Sequence, residues 1–127
     1  MNKPTNREII EQYISAYNSF DVEGMIGLMS EDCVFRNIAG GEMDTETKGI
    51  QEFKQLAEQS AGVFSSRCQT VTSYLESESG AEVEIDYKGK LAVDLPNGLK
   101  AGDQIQLKGR SKFELLDGKL VLIEDYS

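Results

Sequence analysis

Asp117-Gly118 is the feature that most narrows what this chain can become. The pair lies between two apolar runs in the stretch GRSKFELLDGKLVLIEDYS, Gly109 to Ser127, and supplies the two positive-φ positions of a type I′ turn. The stretch therefore predicts two long antiparallel strands joined by a two-residue hairpin. The second strand closes on Asp125, an acid at the end of an apolar run.

Upstream of the turn, alternation predicts a strand over Gln104 to Leu116. Ile105, Leu107, Phe113 and Leu115 share a face with Gly109 and Ser111, and the opposite face, Gln104 through Glu114, is polar and turned to water. Two further strands are predicted over Arg67 to Glu76 and from Glu82 through Lys88 toward Leu95, separated by Ser/Gly- and Pro-Asn-Gly-containing turns. The first half of the chain reads differently. Thr5 and Glu8 form a capping box ahead of Ile10, Tyr13, Ile14, Tyr17 and Phe20, predicting an amphipathic helix over about residues 5–20. Asp21 can cap a second helix with the stripe Val22, Met25, Ile26 and Met29. Cys33 to Asn37 predicts a short strand, Ile38 to Lys48 a polar loop, and Ile50, Phe53, Leu56, Ala57, Ala61 and Phe64 a third helix.

The length, 127 residues, suits one domain over 1–127, large enough to bury roughly two-thirds of the surface its unfolded chain exposes. With 13 basic and 22 acidic residues the net charge is −9, and no basic cluster interrupts it. That field repels phosphate, so neither nucleic acid nor a membrane is expected as a partner. The N-terminal MNKPTNREII lacks the apolar core of a secretory signal, which predicts a soluble, cytoplasmic protein. Cys33 and Cys68 have no CxxC spacing and read as buried small hydrophobes. The sequence contains no histidine, which removes imidazole-based triads and the commonest zinc ligand. No metal and no cofactor are predicted.

Three helices followed by a run of strands imply an α+β fold, the helices packed on a strongly curved, mostly antiparallel sheet. YISAYNSFDVEGMIGLMSEDCVFRN resembles the opening of the nuclear transport factor 2-like superfamily, and KFELLDGKLVLIEDYS resembles its closing hairpin. The resemblance is to the SnoaL-like and limonene-epoxide-hydrolase-like branch. It implies a cone with an internal, mostly apolar pocket, and homodimers.

The same resemblance nominates site residues. The ketosteroid isomerase pattern would need an acid where Asn37 stands and another where Gly109 stands, so that chemistry is not expected, although Tyr13 matches its tyrosine. The limonene-epoxide hydrolase pattern fits better: Phe35-Arg36-Asn37, Glu84-Ile85-Asp86 and Asp125 lie at its site positions, with Phe35 and Glu84 departing from it. Asp125, Asp86 and Asn37 are accordingly the catalytic candidates, and Tyr13, Tyr17, Met29, Phe35, Phe53 and Phe113 the ligand contacts. Plain alternation conflicts with this for Asp86, since it turns Val83, Ile85 and Tyr87 to the core and Glu84 and Asp86 to water. Only a bulge or an apolar outer face would reverse it.

The function expected is binding of a small apolar or amphipathic molecule in the pocket. An epoxide hydrolase or isomerase using an Asp125/Asp86 acid-base pair, and a non-catalytic dimerisation or interaction module, are the alternatives.

Overall fold

The computed structural model describes residues 4–127, so the proposed domain boundary at residue 1 lies outside the described residues. Helix α1, Asn6–Asn18, starts where the capping box requires: the Glu8 amide donates to Thr5 Oγ1 at 3.1 Å, and the Thr5 amide donates to Glu8 Oε1 at 3.2 Å. Its buried stripe is Ile9, Ile10, Tyr13 and Ile14. The helix stops short of Phe20, which sits in the left-handed region at φ 59°. Helix α2, Val22–Ile26, is capped by Asp21, whose carboxylate accepts from the Gly24 amide at 2.9 Å. Met29 is not part of it; it opens strand β1, Met29–Ala39. Helix α3, Ile50–Val63, likewise ends before Phe64, the first residue of β3.

Residues 38–48 are not a loop. β1 runs on to Ala39, Gly40 and Gly41 make a turn at φ 61° and 82°, and Glu42–Lys48 returns as β2. Both central residues have positive φ, which glycine adopts without strain and which matches the right-handed twist of the flanking strands. EMDTETK carries no apolar alternation because β2 is an edge strand, where charge blocks further pairing.

The remaining strands are β3 (Phe64–Glu76), β4 (Gly80–Leu91), β5 (Gln104–Leu116) and β6 (Lys119–Tyr126). The six-stranded sheet has the order β2-β1-β6-β5-β4-β3. Every neighbouring pair is antiparallel except β1 with β6, which is parallel. The β5–β6 turn has Asp117 and Gly118 at φ 51° and 77°, with Leu116 opposite Lys119, as the hairpin reading requires. This is an α+β fold with three helices against a curled, mostly antiparallel sheet that does not close.

The core lies between the helices and the inner face of the sheet, where Ala81, Val83, Ile85, Phe113, Leu115, Leu120 and Ile123 meet Ile9, Ile10, Tyr13, Met25, Met29, Cys33 and Phe53. A bulge between Glu114 and Leu115 lets Leu120 and Ile123 both point inward despite their spacing of three. Phe113 is 1% exposed, and burying a side chain of its kind contributes about 1.5–3 kcal/mol. Cys33 is buried as expected, and burial pushes its thiol up to about 12. Cys68 is exposed, because its parity on β3 is opposite to that of buried Arg67.

Candidate functional site

β6 carries its inward parity from Ile123 to Asp125 and sets the acid between two neighbours, Asn37 on β1 and Ser111 on β5. Ser111 is buried, and its hydroxyl donates to Asp125 Oδ1 at 2.6 Å. No cation pairs with the carboxylate among the described residues, so desolvation dominates and pushes Asp125 up to about 6 against the opposing hydrogen bond from Ser111.

Asp125 stands where two spaces meet. A small cavity of about 60 Å³ is lined by Asp125 with Tyr13, Tyr17, Phe35, Phe53, Arg67 and Gln69 among others. A wider pocket of about 290 Å³ shares Asp125, Tyr17 and Gln69 with it and is otherwise lined by Asn37, Phe64, Tyr87, Leu107, Gly109 and Ser111 among others. Aromatic rings shape both. Phe35 meets Phe53 edge to face at 5.4 Å, and Tyr17 and Tyr87 meet at 6.2 Å with their hydroxyls 2.9 Å apart. Tyr13 stands edge-on to Phe113 at 5.8 Å. Burial first, and then the nearby Asp125 charge, raise the Tyr13 phenol well above its usual value, so it stays a neutral donor.

The structure thus gathers Asp125, Tyr13, Tyr17, Phe35 and Phe53 around the small cavity, and Asp125, Tyr17 and Asn37 around the wider pocket that adjoins it at shared residues. The Asn37 amide donates to Asp44 Oδ2 at 3.3 Å; Asp44 is the residue that bulges out of the β2 ladder next to Thr45, the partner opposite Asn37. Two nominated contacts belong elsewhere. Met29 is 4% exposed and packs in the core at the start of β1, and Phe113 lies beneath Tyr13; neither lines the hollow. Gly109 cannot carry an acid in this backbone, because a Cβ there would lie 2.7 Å from the Tyr126 carbonyl oxygen.

Asp86 does not join Asp125. The β4–β5 register runs without interruption from Gly80 to Lys90, so no bulge on that side reverses the alternation, and Val83 and Ile85 keep the inward face. Asp86 and Glu84 lie on the outer face, in a groove shared with Lys108, Arg110 and Tyr126. The two carboxylates are separated by the sheet, and the Asp125/Asp86 pair is not assembled.

Arg67 is the residue that alternation did not nominate. It is 5% exposed, its Nε donates to the Tyr17 carbonyl at 2.8 Å, and its guanidinium lies 3.7 Å from the Tyr17 ring centroid and 4.5 Å from that of Phe20. Phe20 reaches it from a left-handed conformation that costs a non-glycine residue about 1–2 kcal/mol. Beside it, Asn18 exchanges two hydrogen bonds with the Gln69 backbone, at 3.1 and 2.7 Å, and so fastens the end of α1 to the edge of β3. The one signal in the sequence was an arginine with the same parity as Gln69 and Val71. Ser111 had a plainer signal, a hydroxyl in line with Phe113 and Leu115.

Among the described residues no cluster of acids, cysteines or histidines is arranged to hold a metal ion, and no helix is long and apolar enough to cross a membrane.

A sequence model of the SnoaL-like domain matches residues 10–123. Several solved structures share the fold. A candidate polyketide cyclase of Xanthomonas campestris pv. campestris superposes with a TM-score of 0.83 at 16% identity, covering 96% of this chain and 89% of that one. IdmH of Streptomyces antibioticus, another candidate polyketide cyclase, gives 0.80 at 15% identity over 96% and 91% of the two chains. A third, from Pseudomonas putida KT2440, gives 0.77 at 22% identity over 98% and 92%.

Proposed function

The chain belongs to the SnoaL-like domain family, and from that premise we propose that it binds a small, mostly apolar molecule on the inner face of its sheet, with Asp125 exchanging a proton with the ligand. The observation that carries the reading is a single desolvated carboxyl, held by one hydroxyl donor and opening on an aromatic-lined hollow. A fold that hosts many activities leaves function to the site, and this site has one acid.

A carboxyl titrating at about 6 is partly protonated near neutrality, so it can give a proton to a ligand oxygen or take one from an acidic carbon. Tyr13 and Tyr17 remain protonated beside it and are available to orient a carbonyl or hydroxyl. Epoxide opening by two carboxylates has no second acid to draw on, because Asp86 is on the other face. The candidate polyketide cyclases of similar fold make aromatic ketones the first compounds to screen. A homodimer and residence in the cytoplasm belong to the same proposal and rest on the family resemblance and on composition.

A non-catalytic interaction module is the second reading, favoured by the small volume of the cavity, about 60 Å³, that the rings of Tyr13, Tyr17, Phe35 and Phe53 help to line. Carboxyl NMR titration separates the two. Asp125 should titrate near 6, move higher in Ser111→Ala as the lowering hydrogen bond is lost, and shift again on addition of acetophenone. An Asp125 that titrates near 4 and ignores the ketone would leave only the module.

A further inference from the structure

The orphan in this hollow is not the acid but the guanidinium. Arg67 NH1 is buried and finds no hydrogen-bond partner among the described residues, and no carboxylate pairs with the side chain. Asp125 does not neutralise it: Ser111 alone opposes the desolvation of that carboxyl. A buried arginine in a chain with 22 acidic residues has many available counterions, yet none is brought to it. The rings of Tyr17 and Phe20 face the cation, but a buried N–H without an acceptor is costly, and an anionic oxygen at NH1 would supply both the missing hydrogen bond and the missing counterion.

The guanidinium is also held ready. Its Nε is fixed on the Tyr17 carbonyl, its Cζ lies over the rings of Tyr17 and Phe20, and Asn18 locks the adjoining strand edge. NH1, one end of a planar fork, remains without an acceptor, and Arg67 is among the residues that line the cavity beside Tyr13, Tyr17 and Asp125. We propose that the ligand of this hollow is an apolar acid, an aromatic or alicyclic body carrying a carboxylate or an equivalent enolate or phenolate oxygen, and that Arg67 binds that anionic oxygen. The inference rests on the inner hollow being the ligand site. It places the anion at Arg67 and leaves the remaining functional group of the ligand to face Asp125 across the tyrosines.

The test uses isosteric probes on the full chain. Benzoate, benzamide and acetophenone are titrated at pH 7.5 into isotopically labelled protein, and the backbone amides of Tyr17, Gln69 and Asp125 report binding. The net charge of −9 works against any anion, so a preference for benzoate has to be local. Benzoate is expected to bind at least about tenfold more tightly than benzamide, with the largest shifts at Tyr17 and Gln69. Arg67→Lys, which keeps the charge and loses the fork, should reduce that preference severalfold, and sodium phenolate-forming probes such as 4-nitrophenol should follow benzoate if a phenolate is the natural form. Equal binding of benzoate and benzamide, or binding of acetophenone alone, overturns the anion at Arg67 while the ligand site stands. Failure of all three to shift those amides in folded protein overturns both. The probe ratio is read in the unaltered chain, so the outcome does not depend on a variant that folds.

Discussion

The two faces of one sheet use the same residue types to opposite effect. On the outer face Arg36 lies between Glu46 and Glu124 at 2.7 and 3.1 Å, Arg110 rests over the Tyr126 ring, and Glu84 and Asp86 stand across from Arg110 and Lys108. Water reaches all of them. The partner arginine lowers the Glu46 carboxyl, and solvent screening leaves such pairs little to contribute to stability. On the inner face one aspartate and one arginine occur without a counterion each, and the same burial that packs Phe113 and Ile123 drives the aspartate upward. The difference teaches that exposure, more than proximity of charges, decides what an ionisable group does here.

The contrast can be broken in stages. The largest effect should come from Phe113→Ala, which removes a fully buried ring from beneath Tyr13 and should cost about 3–5 kcal/mol in urea denaturation, whereas Arg36→Ala on the outer face should cost a small fraction of that. An Arg36→Ala loss as large as the core loss would mean that the outer ladder, not the inner packing, holds the sheet.

Next in size is Asp125→Asn. A folded-state value of about 6, above the ordinary 3.8, means that the native protein binds the proton more tightly than the unfolded chain does. Stability from this group is therefore complete below about pH 4 and is lost as pH rises through 6. The amide, which carries no charge to desolvate, should stabilise the protein by about 1–3 kcal/mol at pH 8 and by nothing at pH 3.5. A destabilised variant at pH 8 would show that the carboxylate has a stabilising charge partner in addition to the Ser111 hydroxyl.

The smallest effect sharpens the comparison most. Asp86→Asn should leave the Asp125 titration where it is, because the sheet separates the two groups. A displaced Asp125 curve would restore the two-acid mechanism.

What was legible in the sequence follows the same division. The Asp117-Gly118 hairpin and the Thr5–Glu8 capping box were readable, because local stereochemistry acts within a few residues, and Asp125 was readable as the acid that closes an apolar strand. β2 was not, since an edge strand made of Glu, Asp, Thr and Lys has no buried face to write into its pattern. Asp86 was nominated by resemblance against its own alternation, and the alternation prevailed in an unbulged strand. Arg67 was missed because nothing in FSSRCQTVT says that an arginine will be covered by the end of a helix some fifty positions earlier; that is tertiary information.

The parallel contact between β1 and β6 has a consequence for how such a chain is made. The β1–β2 hairpin and the β3–β4–β5 meander share no ladder of their own, and only β6, the last strand in chain order, lies between them. The ladder that joins the two halves of the sheet therefore pairs β1 with residues some ninety positions later in the chain, a long-range closure of the kind that slows folding. The strand that completes the sheet also delivers the acid. If β6 frays, Asp125 meets water and reverts toward an ordinary carboxylate, so the integrity of the keystone strand and the state of its acid are read out by one titration.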